Sequence, residues 1–291
     1  MPPVNSDRGK TRLSHRPIIV TGVSSGIGRA IAVAAIESGI PVFGSVRTAE
    51  DAKAFERELG PSAKALQFDL RDDRAISAAA ERVFAVANGA GLAALINNAG
   101  PAVPGPLEHL PLKQFREQID STLTGTLAVT QAFLPLLRGK KPGRIINVSS
   151  VAGSTAMPFL GAYAIAKHGI EAMSDSLRRE VRVHGINVTI VQPGGVQTPI
   201  WEKAARANMA VAADGYEGPL ATFRDLALAA GDKGLPAEKI ARLVIRIVGA
   251  KRPKYRYLIS PNPGTERLMR AMPHWLLDRL IAWRLGITRR R

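Results

Sequence analysis

Tyr163 and Lys167 stand four residues apart in Gly161-Ala162-Tyr163-Ala164-Ile165-Ala166-Lys167. The stretch has helical spacing, which puts both side chains on one face about a turn apart. A phenol with an ordinary pKa of about 10 is a poor acid-base near neutrality, but a neighbouring ammonium favours the phenolate and lowers that value. Such a pair arises by chance in many helices, and two other features give it context. Ser150 precedes Tyr163 and closes Arg144-Ile145-Ile146-Asn147-Val148-Ser149-Ser150, the C-terminal end of a strand, where ligands of open parallel sheets gather. Thr21-Gly22-Val23-Ser24-Ser25-Gly26-Ile27-Gly28 follows an apolar run and opens a helical one. Backbone N–H groups in such a loop can approach a pyrophosphate at the positive end of the helix, with no Cβ in the way.

Elements that hold such groups follow from the apolar rhythm. Short runs rich in Val and Ile predict strands near 17–21, 41–46, 64–68, 92–96, 143–149, 186–191 and 255–259. Helical spacing covers 26–38, 72–88, 161–183 and 236–249, and 108–138 holds at least one long helix. Alternation of this kind gives parallel strands joined by right-handed crossovers. The expected fold is α/β, a single Rossmann-type doubly wound parallel sheet of about seven strands with helices on both faces. Residues 193–235 show no strand pattern and read as a helical excursion, a lid or binding loop. In 263–291, Leu276, Leu277, Leu280 and Ile281 would form one helical stripe.

Of 291 residues, 46% are hydrophobic and 22% charged, which excludes collagen, coiled coil and wholesale disorder. There is no cysteine, so cysteine nucleophiles and thiolate zinc sites are excluded and no metal is expected. No apolar run approaches the roughly 18 to 20 residues of a spanning helix, and residues 1–16 lack the apolar core of a secretory signal. A cytoplasmic protein is expected. The net charge of +16 sits mainly at the ends, where residues 1–16 carry four basic groups against Asp7 and residues 251–291 carry eleven against Glu266 and Asp278. A nearly balanced middle and 5% aromatic residues argue against a nucleic-acid partner.

The spacing T-G-x-x-x-G-x-G resembles the glycine motif of the short-chain dehydrogenase/reductase family, and that family's other motifs follow in order. Asp69 ends the third strand, Asn97-Asn98-Ala99-Gly100 ends the fourth, and Ser150, Tyr163, Lys167 and Pro193-Gly194 with Thr198 come next. The resemblance runs from about residue 17 to 260, and within it the segment Ala152 to Lys167 looks like the branch with hydroxysteroid and retinol dehydrogenases. It implies a cofactor site of Gly22, Ser24, Ser25, Gly26, Ile27, Gly28, Asp69, Leu70, Asn98, Ala99, Gly100, Tyr163, Lys167, Pro193, Gly194, Val196 and Thr198. The domains are then a basic tail, 1–16, expected to be disordered, a catalytic NADP-binding Rossmann domain, 17–262, with its substrate loop 193–235, and a helical extension, 263–291.

A ribose with a free 2′-OH wants an acid at the end of the second strand, whereas a 2′-phosphate wants a guanidinium. Val46 holds that position and Arg47 follows, which points to NADP(H), with Thr48 and Ser24 as helpers. The resemblance further implies that Ser150 holds the substrate oxygen, Tyr163 is the general acid, and Lys167 holds the ribose and tunes Tyr163. One departure stands out: where the family commonly has an asparagine supporting a proton path, this chain has Thr122. Ala152, Met157, Phe159 and Trp201 are mostly apolar and point to a hydrophobic ketone, aldehyde or alcohol as substrate. The family also implies a homodimer or homotetramer. The C-terminal helix has three readings: peripheral contact with an anionic membrane, part of the substrate entrance, or ordinary docking. A catalytically silent NADP(H)-binding sensor is the alternative function.

Overall fold

Ile18, Ile19 and Val20 of strand β1 (Ile18–Thr21) have no solvent exposure. Successive side chains of a strand point to opposite faces, so β1 must be covered on both. It lies within a seven-stranded parallel sheet of order β3-β2-β1-β4-β5-β6-β7. The other strands are β2 (Val42–Val46), β3 (Ala63–Gln67), β4 (Ala94–Asn97), β5 (Arg144–Val148), β6 (Asn187–Pro193) and β7 (Arg256–Ile259). All seven expected strands are present, and the order reverses between β1 and β4, where a crevice opens at the C-terminal ends of the strands. This computed structural model describes residues 16–87, 91–206 and 215–287. Residues 1–15 of the N-terminal tail, 207–214 of the substrate loop and 288–291 of the C-terminal extension lie outside the described residues.

Helices α1 (Gly26–Glu37), α2 (Ala49–Leu59), α3 (Asp73–Ala87), α4 (Leu112–Ile119), α5 (Gly125–Leu137), α6 (Gly161–Glu180), α7 (Pro199–Arg206), α8 (Glu217–Asp232), α9 (Ala237–Gly249), α10 (Pro263–Ala271) and α11 (His274–Leu285) fill the connections. On one face of the sheet, Ile18, Val20, Val42 and Ile146 meet Ile31 and Ala35 of α1, Phe55 of α2, and Ile240 and Val244 of α9. On the other, Ile19, Phe43, Leu95 and Ile145 meet Ile76 and Val83 of α3 and Val129 and Phe133 of α5. Burial of each large side chain contributes about 1.5–3 kcal/mol, and the two layers fix the strand ends that carry the loops.

Apolar spacing does not signal α2. Phe55 is its single fully buried side chain, flanked by the partly buried Ala52 and Leu59, and Glu50, Asp51, Lys53, Glu56, Arg57 and Glu58 cover the rest, so its apolar stripe is only three residues long. The helical segment expected within 108–138 is α4 and α5, joined by a π-helical turn, Asp120–Thr124.

The excursion after β6 holds α7 and α8, and together with α11 it builds a third apolar cluster above the sheet. Phe159, Leu160, Leu220, Phe223, Ile281 and Leu285 form its core, with Met157, Tyr163 and Trp201 packed against it. This corrects the predicted stripe of α11. Leu277, Ile281 and Leu285 turn inward, whereas Leu276 and Leu280 are exposed. Spacing of four along the helix selects that inner face, and apolar residues lie on both faces. Among the described residues, no helix is long and apolar enough to cross a membrane.

Candidate active site

The loop after β1 is pinned to the end of β4. Thr21 Oγ1 accepts the backbone N–H groups of Asn98 at 2.9 Å and Ala99 at 3.0 Å, and Asn98 Nδ2 donates to the Thr21 carbonyl at 3.0 Å. Gly28 sits where a Cβ would lie 2.1 Å from the Gly22 carbonyl oxygen, a separation no real Cβ tolerates. Glycine there lets the first turn of α1 close onto the loop. Ser25 occupies the N-cap of α1 without a side-chain cap, so the free N–H groups of that turn face the crevice.

A cavity of about 510 Å³ occupies this crevice. Its walls include Gly22, Ser24, Ser25, Gly26 and Ile27 of the glycine loop, Asn98, Ala99 and Gly100 after β4, and Pro193, Gly194, Val196 and Thr198 after β6. Arg47, Asp69 and Leu70 line one end, and Ser150, Tyr163, Lys167 and Trp201 line another part. Six predicted residues lie outside the lining: Gly28, Thr48, Thr122, Ala152, Met157 and Phe159. Thr48 caps α2 by accepting the Asp51 N–H at 3.1 Å, while Ala152, Met157 and Phe159 pack beneath the wall. Phe159 is 5% exposed and meets Tyr216 and Phe223 edge-on at 5.9 and 5.8 Å between ring centroids. Asn97 is likewise internal, its amide donating to Asn147 Oδ1 at 2.9 Å and to Thr130 Oγ1 at 3.0 Å.

At the end beside β2 and β3, Arg71 Nε and Nη2 donate to the two carboxylate oxygens of Asp69, each at 2.8 Å. The fork, with the Arg71 backbone N–H on Asp69 Oδ1 at 2.9 Å, overrides partial burial and holds the Asp69 carboxyl down at about 2. Arg47 is near enough to lower it further. Arg47 forms no ion pair among the described residues, and no acid ends β2, whose last residue is Val46. Sequence reasoning missed Arg71, although an aspartate accepting the N–H two residues on is a common local turn.

At the far end, Tyr163 opens α6 and Lys167 follows one turn later. Lys167 is 4% exposed, donates from Nζ to the Val148 carbonyl at 2.8 Å, and lies 5.7 Å from the Tyr163 ring centroid. Burial pulls the Lys167 ammonium down to about 8, and Glu171, one turn further along α6, opposes that shift. Glu171 is itself anchored by Gln192 Nε2 at 2.9 Å and Arg256 Nε at 3.0 Å. Burial raises the Tyr163 phenol above its ordinary value, and its hydrogen bond with Ser150 works the other way. Ser150 Oγ also accepts the Ala152 N–H at 3.1 Å, which fixes the hydroxyl at the end of β5. A lysine near 8 beside a phenol near a serine can move a proton at an oxygen placed between them.

Thr122 is buried in the π-helical turn and does not line the cavity. Its Oγ1 accepts from Gln118 Nε2 at 2.8 Å, and the same amide donates to the Pro101 carbonyl at 3.1 Å and accepts the Val103 N–H at 2.8 Å. Gln118 thus clips the loop after β4 to the turn carrying Thr122. Among the described residues no group of three or more His, Cys, Asp or Glu is placed to hold a metal ion.

The sequence model for short chain dehydrogenases matches residues 16–209. The chain is 37% identical over 271 residues to the NADPH-dependent 3-dehydrocapnine reductase of Ornithobacterium rhinotracheale, covering 91% of this chain and 94% of that one. Human retinol dehydrogenase 5 is 31% identical over 293 residues, covering 95% and 91%. A crystal structure of a metagenomic short-chain oxidoreductase in complex with NADP superposes with a TM-score of 0.67 at 27% identity, covering 85% of this chain and 98% of that one.

Proposed function

This chain belongs to the short-chain dehydrogenase family and is an oxidoreductase, and on that footing we propose that it uses NADP(H) to interconvert a hydrophobic ketone or aldehyde and its alcohol. The observation carrying the reading is one cavity with Arg47, in no ion pair among the described residues, at one end and Ser150, Tyr163 and Lys167 at another. The residues fit the cofactor: Gly28 leaves a cradle that a Cβ would fill, the first turn of α1 offers free N–H groups to a pyrophosphate, and no carboxylate at the end of β2 repels a 2′-phosphate. When bound, NADP(H) supplies or accepts the hydride.

The chain's own residues do the rest. Arg47 binds the 2′-phosphate, and Lys167 holds the ribose hydroxyls while its positive charge favours ionisation of Tyr163. Ser150 donates a hydrogen bond to the substrate oxygen and orients it. Tyr163 delivers a proton to that oxygen during reduction and removes it during oxidation. Trp201 and Ile200 present an apolar wall to the substrate. A homodimer or homotetramer is included as the working form, to be read by light scattering.

The test is oxidation of NADPH, with NADH in parallel, across a panel of apolar ketones and aldehydes, for the wild type and Tyr163→Phe. The expected result is turnover that prefers NADPH and falls by about 10²- to 10⁴-fold in the variant, with NADPH binding retained. NADPH binding without turnover of any carbonyl by the wild type would favour the silent sensor instead. Turnover equal in both proteins would remove Tyr163 from its role.

A further inference from the structure

Helix α11 is apolar on two faces, and its inner face is already satisfied. Leu277, Ile281 and Leu285 pack into the cluster that contains Phe159 and Phe223 and that also holds Tyr163 and Trp201. Opposite them, Trp275 is 68% exposed and Trp283 is 77%, with Leu276 and Leu280 exposed between them. At about 100° per residue, Arg279 falls among these four side chains, Arg284 on their flank, and Asp278 near the inner face. Leu268 of α10 is exposed as well. Surface of this kind on a folded chain marks a contact site.

We propose that this outer face of α11 seats the protein on an anionic lipid surface. Tryptophan rings with arginine between them suit the headgroup level of a bilayer, where an aromatic body sits among acyl chains and a guanidinium meets phosphate. The charge favours this occupant over a second copy of the chain. Exposed Arg267, Arg279 and Arg284 lie on α10 and α11, whose carboxylates are Glu266, half-buried beside Ser260, and Asp278, which borders the face beyond Trp275, away from Leu280 and Trp283. A two-fold contact sets a surface against itself, so the cationic face would meet its own arginines with Asp278, at its margin, as the carboxylate on α11 to answer them. Arg289-Arg290-Arg291 add positive charge just beyond the helix in sequence. Because the inner face of α11 packs into the cluster that holds Tyr163 and Trp201, and both residues line the cavity, docking would place a single helix between the lipid and that wall of the cavity. This docking is independent of the reaction proposed above.

The experiment is sedimentation of the full chain with vesicles of phosphatidylcholine alone, or mixed two to one with phosphatidylglycerol, while tryptophan emission is followed. Expected are co-sedimentation with the anionic vesicles, a blue shift of emission, and loss of both in Trp275→Ala/Trp283→Ala. Arg279→Gln/Arg284→Gln should weaken binding by about fivefold for each arginine, and raised salt should weaken it in the wild type. All replaced side chains are exposed, so unchanged thermal unfolding is expected of the variants. Absence of the wild type from the anionic vesicle pellet would overturn the proposal. So would undiminished binding by the tryptophan variant, which would assign the contact to the basic tails. A dimer in lipid-free buffer that the tryptophan variant dissociates would assign the face to a second copy and overturn it too.

Discussion

Replacing Lys167 with methionine removes a cation held among apolar and backbone groups, and the consequence can be worked out as a function of pH. The ammonium falls from 10.5 to about 8 on folding, with burial as the main cause. A lysine whose folded value is depressed binds fewer protons folded than unfolded between those values, so its contribution to stability rises with pH across that window. Below about 8 the folded protein carries the full cost of burying the charge, and above about 10.5 that cost is gone. With about 1.36 kcal/mol per unit, the wild type gains about 2.5 kcal/mol relative to Lys167→Met between about pH 7 and 10. Tyr163 shifts the opposite way through burial, but it is present in both proteins and largely cancels in the difference. Urea denaturation of the cofactor-free wild type and variant, followed by circular dichroism at several pH values, reads the double difference. Sign matters as much as size. A wild-type advantage that stays flat, or shrinks as pH rises, would refute the claim that burial holds Lys167 near 8.

Arg47→Ala should weaken NADPH binding by about 10- to 100-fold, the worth of a charge-assisted pair with phosphate, while NADH binding changes little; fluorescence titration with both nucleotides measures the change in preference. Gly28→Ala places a methyl 2.1 Å from the Gly22 carbonyl oxygen, and cofactor binding should be lost in calorimetry, with the melting temperature of the cofactor-free protein lowered. Gln118→Ala leaves the Val103 N–H and the Pro101 carbonyl without their partner and should cost about 1–3 kcal/mol of unfolding free energy, measured by urea denaturation. Its expected kinetic mark is a larger effect on kcat than on the KM for NADPH, because the clip holds the turn of Thr122 rather than the adenosine end.

What could be read from the sequence, and what could not, follows from the range of each interaction. β1 and β5 are legible because strands covered on both faces must be apolar throughout, and runs such as Ile145-Ile146 leave few alternatives. The glycine loop is legible for a related reason: a Cβ at Gly28 cannot be accommodated, so the backbone demand appears directly as residue type. Helix α2 hides because its inward stripe is short, one fully buried Phe55 with the partly buried Ala52 and Leu59 beside it, in a helix otherwise rich in charge. Gln118 hides because a glutamine on a helix looks like surface until the loop of Pro101 and Val103 folds over it. Arg71 and Asp69 are two residues apart and could have been paired by local turn chemistry, yet their place on the wall beside Arg47 depends on β2 and β3 being neighbours. Phe159 shows the opposite failure. Position after Ser150 suggests a substrate contact, but Tyr216 and Phe223 arrive from the distant excursion after β6 and take the ring into the third cluster. The same cluster decides the face of α11, for Leu276 and Leu277 are equally apolar and only the shape of the wall formed by Leu220 and Phe223 turns Leu277 inward. Trp275 and Trp283 are thereby left outside. Positions set by covalent neighbours or by cover on both faces declare themselves in residue type, whereas the edges of this cavity are drawn by segments that meet only in the folded chain.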